Sequence, residues 1–516
     1  MKAAVLLAVA GGLLSAGAVD FDVVAYGAAT NGAAKTNAAA IQRALDEAGK
    51  AGGGRVVVPA GVFESGTVWL RDGVELHLAE GAVLQASKDL ADYNALDAYP
   101  ENKTTNTEEW RGWHLVIGYR VKGARLTGPG TIDGSSDWWY EDAPRGRDTT
   151  RPWGWLWGMR KARNPETGRI GQLVQFVGAK DVFVGDGLLI RKSPCWCLHF
   201  HNCDGVTVRH YRVRNALVDG NSDGQDIDCS RNVLIEDCDI ETGDDSIAIR
   251  GSFGRLPGGS KETTPCENVT VRRCRLYSAI MGVRIGVGAG VIRNVLIEDA
   301  TVAFGSNGIS LETFYGKGTD QGVDIENVTV RDCRFDNCYR NWFAQVGGER
   351  LTTGVRNVRF ERCFFGAENE GEATGPLTNR MDAIVFDRVT RRPQRRRFPK
   401  DPFRTAADDL GVRVDFLRSK GPVHAVHGVG QGPLLGYDDF SMFRYLKEAG
   451  IPSARLHDVG GAFGMNLFVD IPNLFRDFDA DENDLDIPNG VSATIVMPDG
   501  KIRTAHARHQ EWTCVL

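Results

Sequence analysis

Short apolar alternations recur along the middle of the chain. They read NVLIEDC from Asn232, NVTVRRC from Asn268, NVLIEDA from Asn294, NVTVRDC from Asn327 and NVRFERC from Asn357. Each is an Asn, then branched apolar residues at every second position, then a small residue six places after the Asn. The starts lie 36, 26, 33 and 30 residues apart. Period-2 alternation (Val233/Ile235, Val269/Val271, Val295/Ile297, Val328/Val330) predicts strands with one buried face. One unit has too little apolar surface to fold alone, whereas stacked units bury a continuous core and turn equivalent positions into ladders. The expected fold is therefore all-β, a right-handed parallel β-helix of three short strands per coil.

The pattern changes at both ends. Residues 36–51 show helical periodicity, followed by GGGRVVVPAG and strand-like runs at 68–70, 74–78 and 83–85. This predicts an N-terminal cap helix that covers the exposed strand edges of the first coil. At the far end RRPQRRRFPKDP breaks the repeat, and residues 391–410 read as a basic linker after a solenoid over 19–390. From Gly411 to Leu516 strand-like and helical textures alternate, as in an incomplete α/β fragment.

Composition adds compartment and partner class. Residues 1–18 combine Lys2, an apolar run from Ala3 to Leu14 and Ala16-Gly17-Ala18, the pattern of a signal peptide, so a secreted or periplasmic monomer is expected. No later stretch is apolar enough to span a membrane. A net charge of −6 gives no general reason to bind nucleic acid or an anionic membrane. Ten of the eleven cysteines lie between Cys195 and Cys363. Cys238, Cys274, Cys333 and Cys363 share one repeat register with Ala300, which marks them mainly as core. A disulfide is open only for Cys238 with Cys274 or Cys333 with Cys363. No paired CxxC spacing supports zinc, and no metal or cofactor is expected.

The candidate chemistry lies in NSDGQDID (221–228) and TGDDS (242–246). Asp223 and Asp244 are 21 residues apart, about one coil, so they should be neighbours on adjacent coils. Gly243 permits a bend that turns both Asp244 and Asp245 outward. Crowded carboxylates raise one another's pKa, so one keeps a proton while another is ionised, the division that glycosidic hydrolysis needs. Calcium binding and turn capping remain open on the residues alone.

These segments resemble glycoside hydrolase family 28, the polygalacturonases. Asn221-Ser222-Asp223 and Gly243-Asp244-Asp245 match its N-T-D and D-D lines, with further agreement at Gly130–Gly134 before Trp138-Trp139 and at Ser193-Pro194-x-Trp196 before His199. The similarity covers about residues 20–370. It implies inverting hydrolysis of an α-linked pectic polysaccharide, with Asp244 as general acid and Asp223 and Asp245 activating water. Asn221 and Glu312 fall at substrate-side positions of that pattern, and Arg284 joins them because inward Val283 and Ile285 would turn it outward. Three positions depart from the pattern: Met281 stands for the family's His, and Ser310 and Glu312 for the Arg and Lys that grip a uronate. Glu312 would repel a carboxylate there, which points to a branched or rhamnose-containing region, with Arg284 a candidate replacement cation. The same solenoid also suits a calcium-dependent pectic lyase, with Arg284 as base, or a non-catalytic carbohydrate-binding β-helix. His199 and His201 read as packing or turn residues, while Trp138, Trp139 and Trp196 suit either sugar stacking or burial. The C-terminal fragment resembles the opening of a family 39-type glycosidase barrel, too short to be complete.

Overall fold

In the computed structural model the described residues are 20–102, 109–142, 158–252, 264–314, 322–347, 353–374 and 381–398, together with five short strands after residue 427. The chain divides into two compact units, Met1–Gly411 and Val412–Leu516.

The first unit is a parallel β-helix. One face is a 12-stranded sheet running from Asp20–Asp22 to Met381–Asp387, with every neighbour parallel. The repeat lines found in the sequence are consecutive strands of this sheet, Arg231–Glu236, Cys266–Arg272, Gly290–Glu298, Val323–Arg331 and Val355–Glu361. Their register pairs Val233 with Val269, Val269 with Val295, Val295 with Val328 and Val328 with Val358, so like residues stack inside the coil. Two further faces are joined through the long strand Thr301–Glu312, which pairs with strands of both.

The Asn that opens each line has a structural reason. Asn232, Asn268, Asn294, Asn327 and Asn357 all have φ between 51° and 58°, a left-handed conformation that Asn tolerates better than most residues. Each Nδ2 from Asn268 onward donates to the Oδ1 of the Asn one coil earlier, at 2.8–3.2 Å. A ladder of amides thus supports a backbone kink repeated coil after coil.

The helix Ala34–Lys50 caps the first coils, burying Ile41, Ala44, Leu45 and Ala48 against them. The ten cysteines from Cys195 to Cys363 are buried, and Cys238, Cys274, Cys333 and Cys363 pack in the core of the coil with Ala300. Residues 391–398 of the expected 391–410 linker pack on the solenoid, and the rest of it lies outside the described residues. Thr390–Arg391 is still a paired strand, Arg392 and Gln394 donate to Phe365 O and Gly366 O, and buried Arg396 donates to Gly305 O. The backbone N–H groups of Arg392 and Gln394 and the guanidinium of Arg396 hold this segment to the last coils, so the basic run through Phe398 belongs to the solenoid end.

In the second unit, Gly428–Val429 pairs parallel with Ser453–Leu456, which pairs antiparallel with Trp512–Val515, and Ser492–Val496 forms a hairpin pair with Ile502–His506. The remainder of the barrel-like reading, and the signal peptide over 1–18, lie outside the described residues. Among the described residues no helix is long and apolar enough to cross a membrane.

Candidate active site

The two acidic segments flank the strands Gln225–Asp228 and Ile247–Arg250, which are paired in register. Asp223, Asp244 and Asp245 each place a carboxylate oxygen within 4.8 Å of the others, and all three are buried. Backbone bonds between successive coils fix this meeting: Gly224 N–H donates to Asp245 O and Gly243 N–H to Ser222 Oγ. Gly243 is needed for close approach. A Cβ there would lie 2.2 Å from Asp219 O and 2.6 Å from Ala216 O, both backbone atoms that cannot move aside.

The three carboxylates are not equivalent. Asp244 accepts backbone N–H groups on both oxygens, from Asp245 on Oδ1 and from Asn221 on Oδ2, each at 3.0 Å. Such donors favour the anion. Asp245 lies 3.1 Å from Arg284 Nε, but neither oxygen receives a well-directed hydrogen bond. Burial pushes its pKa up to about 8, with Arg284 opposing and Asp244 and Glu312 reinforcing the rise. Burial and then the charges of Asp226, Asp244 and Asp245 also raise Asp223 well above the carboxylate range. The cluster titrates as a unit and keeps a proton near neutral pH, with Asp245 and Asp223 its favoured carriers.

Three further groups were not singled out from the sequence. Asp226 is fully buried and 3.3 Å from Arg250; burial raises its pKa well above the usual range despite that guanidinium. Asp228 accepts two bonds from Arg250, at 2.7 and 3.1 Å, and one from His199 Nε2 at 3.0 Å. Burial opposes its charge, yet Arg250 and His199 hold it well below the ordinary value. Arg250 in turn lies 3.9 Å over the Trp196 ring. Their signal was present in the sequence: with Ile227 inward, Asp226 and Asp228 must point away from the core, in register with His199 and His201 one coil earlier.

His199 is therefore part of a directed relay. Tyr99 donates its hydroxyl to Gln175 Oε1, Gln175 Nε2 donates to His199 Nδ1 at 3.0 Å, and His199 Nε2–H donates to Asp228. This assigns the proton to Nε2 and anchors Asp228 under Arg250.

The other sequence candidates take distinct places. Asn221 has its side-chain oxygen bound by Arg169 Nη2 at 2.7 Å, while its N–H aims Asp244. Arg284 does point outward between buried Val283 and Ile285, and its Nε lies 3.1 Å from Asp245 and 3.5 Å from Glu312. Ser310 Oγ donates to Glu312 Oε1 at 2.5 Å. Met281 packs with Leu217, Ile280 and Phe304, and its sulfur receives Asn307 Nδ2 at 3.1 Å. Trp196 borders the site, Trp139 is buried and Trp138 is 52% exposed.

The trio and the set His199, His201 and Asp228 are the two groups close enough to hold a metal ion among the described residues. In the second set Arg250 already neutralises Asp228, and a cation would face that guanidinium. In the trio both Asp244 oxygens are engaged by backbone donors, whereas calcium takes about 6–8 oxygen ligands. The donor chemistry favours proton handling over metal binding.

The sequence profile of glycosyl hydrolases family 28 matches residues 55–341, more than half of the chain. The chain belongs to glycoside hydrolase family 28. Among curated relatives, a protein of Vitis vinifera named as a probable polygalacturonase is 26% identical over 59% of this chain and 58% of its own length. An endo-polygalacturonase of Pectobacterium carotovorum subsp. carotovorum is 26% identical over 58% of this chain and 70% of its own. The chain thus spans less than two thirds of the first of these relatives. In fold, this family 28 chain is similar to the exopolygalacturonase from Thermotoga maritima, with a TM-score of 0.52 and 20% identity over 72% of this chain and 91% of that one. It is also similar to the endo-xylogalacturonan hydrolase from Aspergillus tubingensis, with a TM-score of 0.51 and 15% identity over 74% and 97%.

A raised carboxylate pKa carries a stability cost with a definite sign. For Asp245 the folded value, about 8, exceeds the unfolded one, so its contribution is intact below the unfolded pKa and is lost as pH rises through 8. Asp245→Asn is accordingly expected to raise the melting temperature at pH 8 by ~2–4 °C, and by much less at pH 4. Equal shifts at both pH values in thermal unfolding would contradict the assigned burial of charge.

Proposed function

We propose that this family 28 protein is a secreted inverting hydrolase of an α-linked pectic polysaccharide, acting on a bond next to an uncharged sugar. The carrying observation is the buried trio Asp223, Asp244 and Asp245, which combines a carboxylate bound by two backbone N–H groups with neighbours whose pKa burial raises. By family resemblance Asp244 protonates the leaving oxygen, while Asp223 and Asp245 orient water. The two N–H bonds to Asp244 favour a second distribution in the free enzyme, with the proton on Asp245 and Asp244 as the water-activating anion. The anomer of the first product distinguishes inversion from retention.

Charge supports the narrower substrate. Asp223, Asp226, Asp228, Asp244, Asp245 and Glu312 gather at the site, and the cations among them, Arg250 and Arg284, are already bound to carboxylates. A uronate carboxylate beside the scissile bond would add a like charge, which costs affinity.

Reducing-end release from defined pectic fragments tests this reading. Fragments with a neutral sugar at the cleavage point should react ~10-fold or more faster than homogalacturonan. The reverse order would remove the charge argument. Unsaturated products absorbing in the near ultraviolet, lost on adding a chelator, would establish the lyase instead.

A further inference from the structure

Between the strands Thr131–Asp133 and Val174–Val177 the chain leaves the coil, and the described parts of this excursion are residues 134–142 and 158–173. Three of its buried side chains converge on residues 219–221, the segment that leads into Asp223, and each takes a different residue. Arg160 Nε donates to Asp219 Oδ1 at 2.6 Å, the Tyr140 hydroxyl donates to Gly220 O, and Arg169 Nη2 donates to Asn221 Oδ1 at 2.7 Å. The three are also held to one another. Both guanidinium groups lie over the Tyr140 ring, 5.2 and 5.1 Å from its centre, and Arg169 Nη1 and the Tyr140 hydroxyl meet at Pro194 O. Guanidinium groups taken out of water add little net stability, because desolvation offsets their attraction, but their directed bonds fix geometry.

That geometry reaches the trio through one peptide group. The carbonyl of the Gly220–Asn221 peptide accepts from Tyr140, and the N–H of the same peptide donates to Asp244 Oδ2 at 3.0 Å. A planar trans peptide points these two groups in opposite directions, so holding the oxygen aims the hydrogen. Asn221 has a φ of 55°, in the left-handed region that few residues keep without support, and Arg169 supplies it through the side-chain oxygen. We infer that Tyr140 and Arg169 are positioning residues for hydrolysis, holding the Gly220–Asn221 peptide so that its N–H stays on Asp244. The excursion thereby governs the chemistry of a carboxylate that none of the three side chains needs to touch. This role rests on the hydrolytic reading of the trio, and amide exchange examines the hold on the peptide without turnover.

Tyr140→Phe removes the hydroxyl and leaves the ring between the two guanidinium groups; Arg169→Met removes the second support. Both should lower kcat on a polymeric pectic substrate by ~10-fold or more, with KM changed less than ~3-fold. An N–H bound to a carboxylate favours the anion, so its loss raises the pKa of Asp244 whether that group acts as acid or as base. The limb of the kcat profile that Asp244 governs should therefore move up by about one pH unit. The charges that face Asp244, on Asp223, Asp226 and Asp245, with Arg250 and Arg284 beside them, are the same in every variant. Arg163→Met is the control, since Arg163 binds Trp138 O, Asp137 O and Asp142 on the same excursion, and it should leave both readouts unchanged. Amide hydrogen exchange of the peptide covering residues 219–223 should be faster in Tyr140→Phe and Arg169→Met than in wild type. An unmoved pH limb in both variants, an equal kcat loss in Arg163→Met, or unchanged exchange at 219–223 would each overturn the inference. Wild-type protein that hydrolyses no pectic fragment would remove the proposed function, while faster exchange in the two variants would still uphold the grip on the peptide.

Discussion

Asp244→Asn is expected to lower kcat on a polymeric substrate by ~10³-fold or more, with the fold intact. The substitution preserves shape and removes the group that two backbone N–H donors hold at the centre of the trio. General acid or base work by one side chain is worth about 10²–10⁴-fold, and loss of this charge also disturbs the protonation of Asp223 and Asp245. The leaving group separates the two role assignments. An aryl glycoside with an acidic phenol needs little protonation, so it should recover most of the rate in whichever variant lacks the acid. Recovery in Asp244→Asn assigns the acid to Asp244, as the family resemblance implies. Recovery in Asp245→Asn instead assigns it to the residue whose pKa burial lifts to about 8. An unchanged rate in Asp244→Asn would remove the trio from the chemistry.

Arg250→Leu should have the largest effect on stability. Arg250 is buried, binds Asp228 through two nitrogens, lies 3.3 Å from Asp226 and stacks on Trp196. Its loss leaves Asp228 with the hydrogen bond from His199 Nε2, and among the described residues neither Asp228 nor Asp226 then pairs with another Arg or Lys. Breaking a buried pair from one side costs about 3–5 kcal/mol. Denaturant unfolding should show a lower midpoint at pH 7, and adding Asp228→Asn should recover part of the loss. A midpoint unchanged by Arg250→Leu would mean that the ion pair contributes nothing to the fold.

The solenoid was legible because its physics repeats: every coil needs inward branched residues, and the kink at each of the five repeat lines carries an Asn that tolerates positive φ. Asp223 and Asp244 were legible for the same reason, since one coil of spacing sets strands side by side. Asp226, Asp228 and Arg250 escaped because outward positions on a strand are usually solvated. Here all three are buried, Arg250 against the Trp196 ring, and such irregular segments leave no period to read. Tyr99 reaches Gln175 from such a loop, so the relay behind His199 had no sequence signal at all. The basic run at 391–398 misled for the opposite reason: charge and proline read as a linker, but backbone N–H groups of Arg392 and Gln394 and the Arg396 guanidinium, all bound to carbonyls, pack it onto the last coils.

The anomeric configuration of the first-formed product, followed by proton NMR on a defined oligosaccharide, tests the carboxylate trio most directly. Inverting hydrolysis predicts a new reducing end that appears first as the β-anomer from an α-linkage, and that is absent with Asp244→Asn. First appearance of the α-anomer, or of an unsaturated sugar without a hydrolytic end, would contradict it.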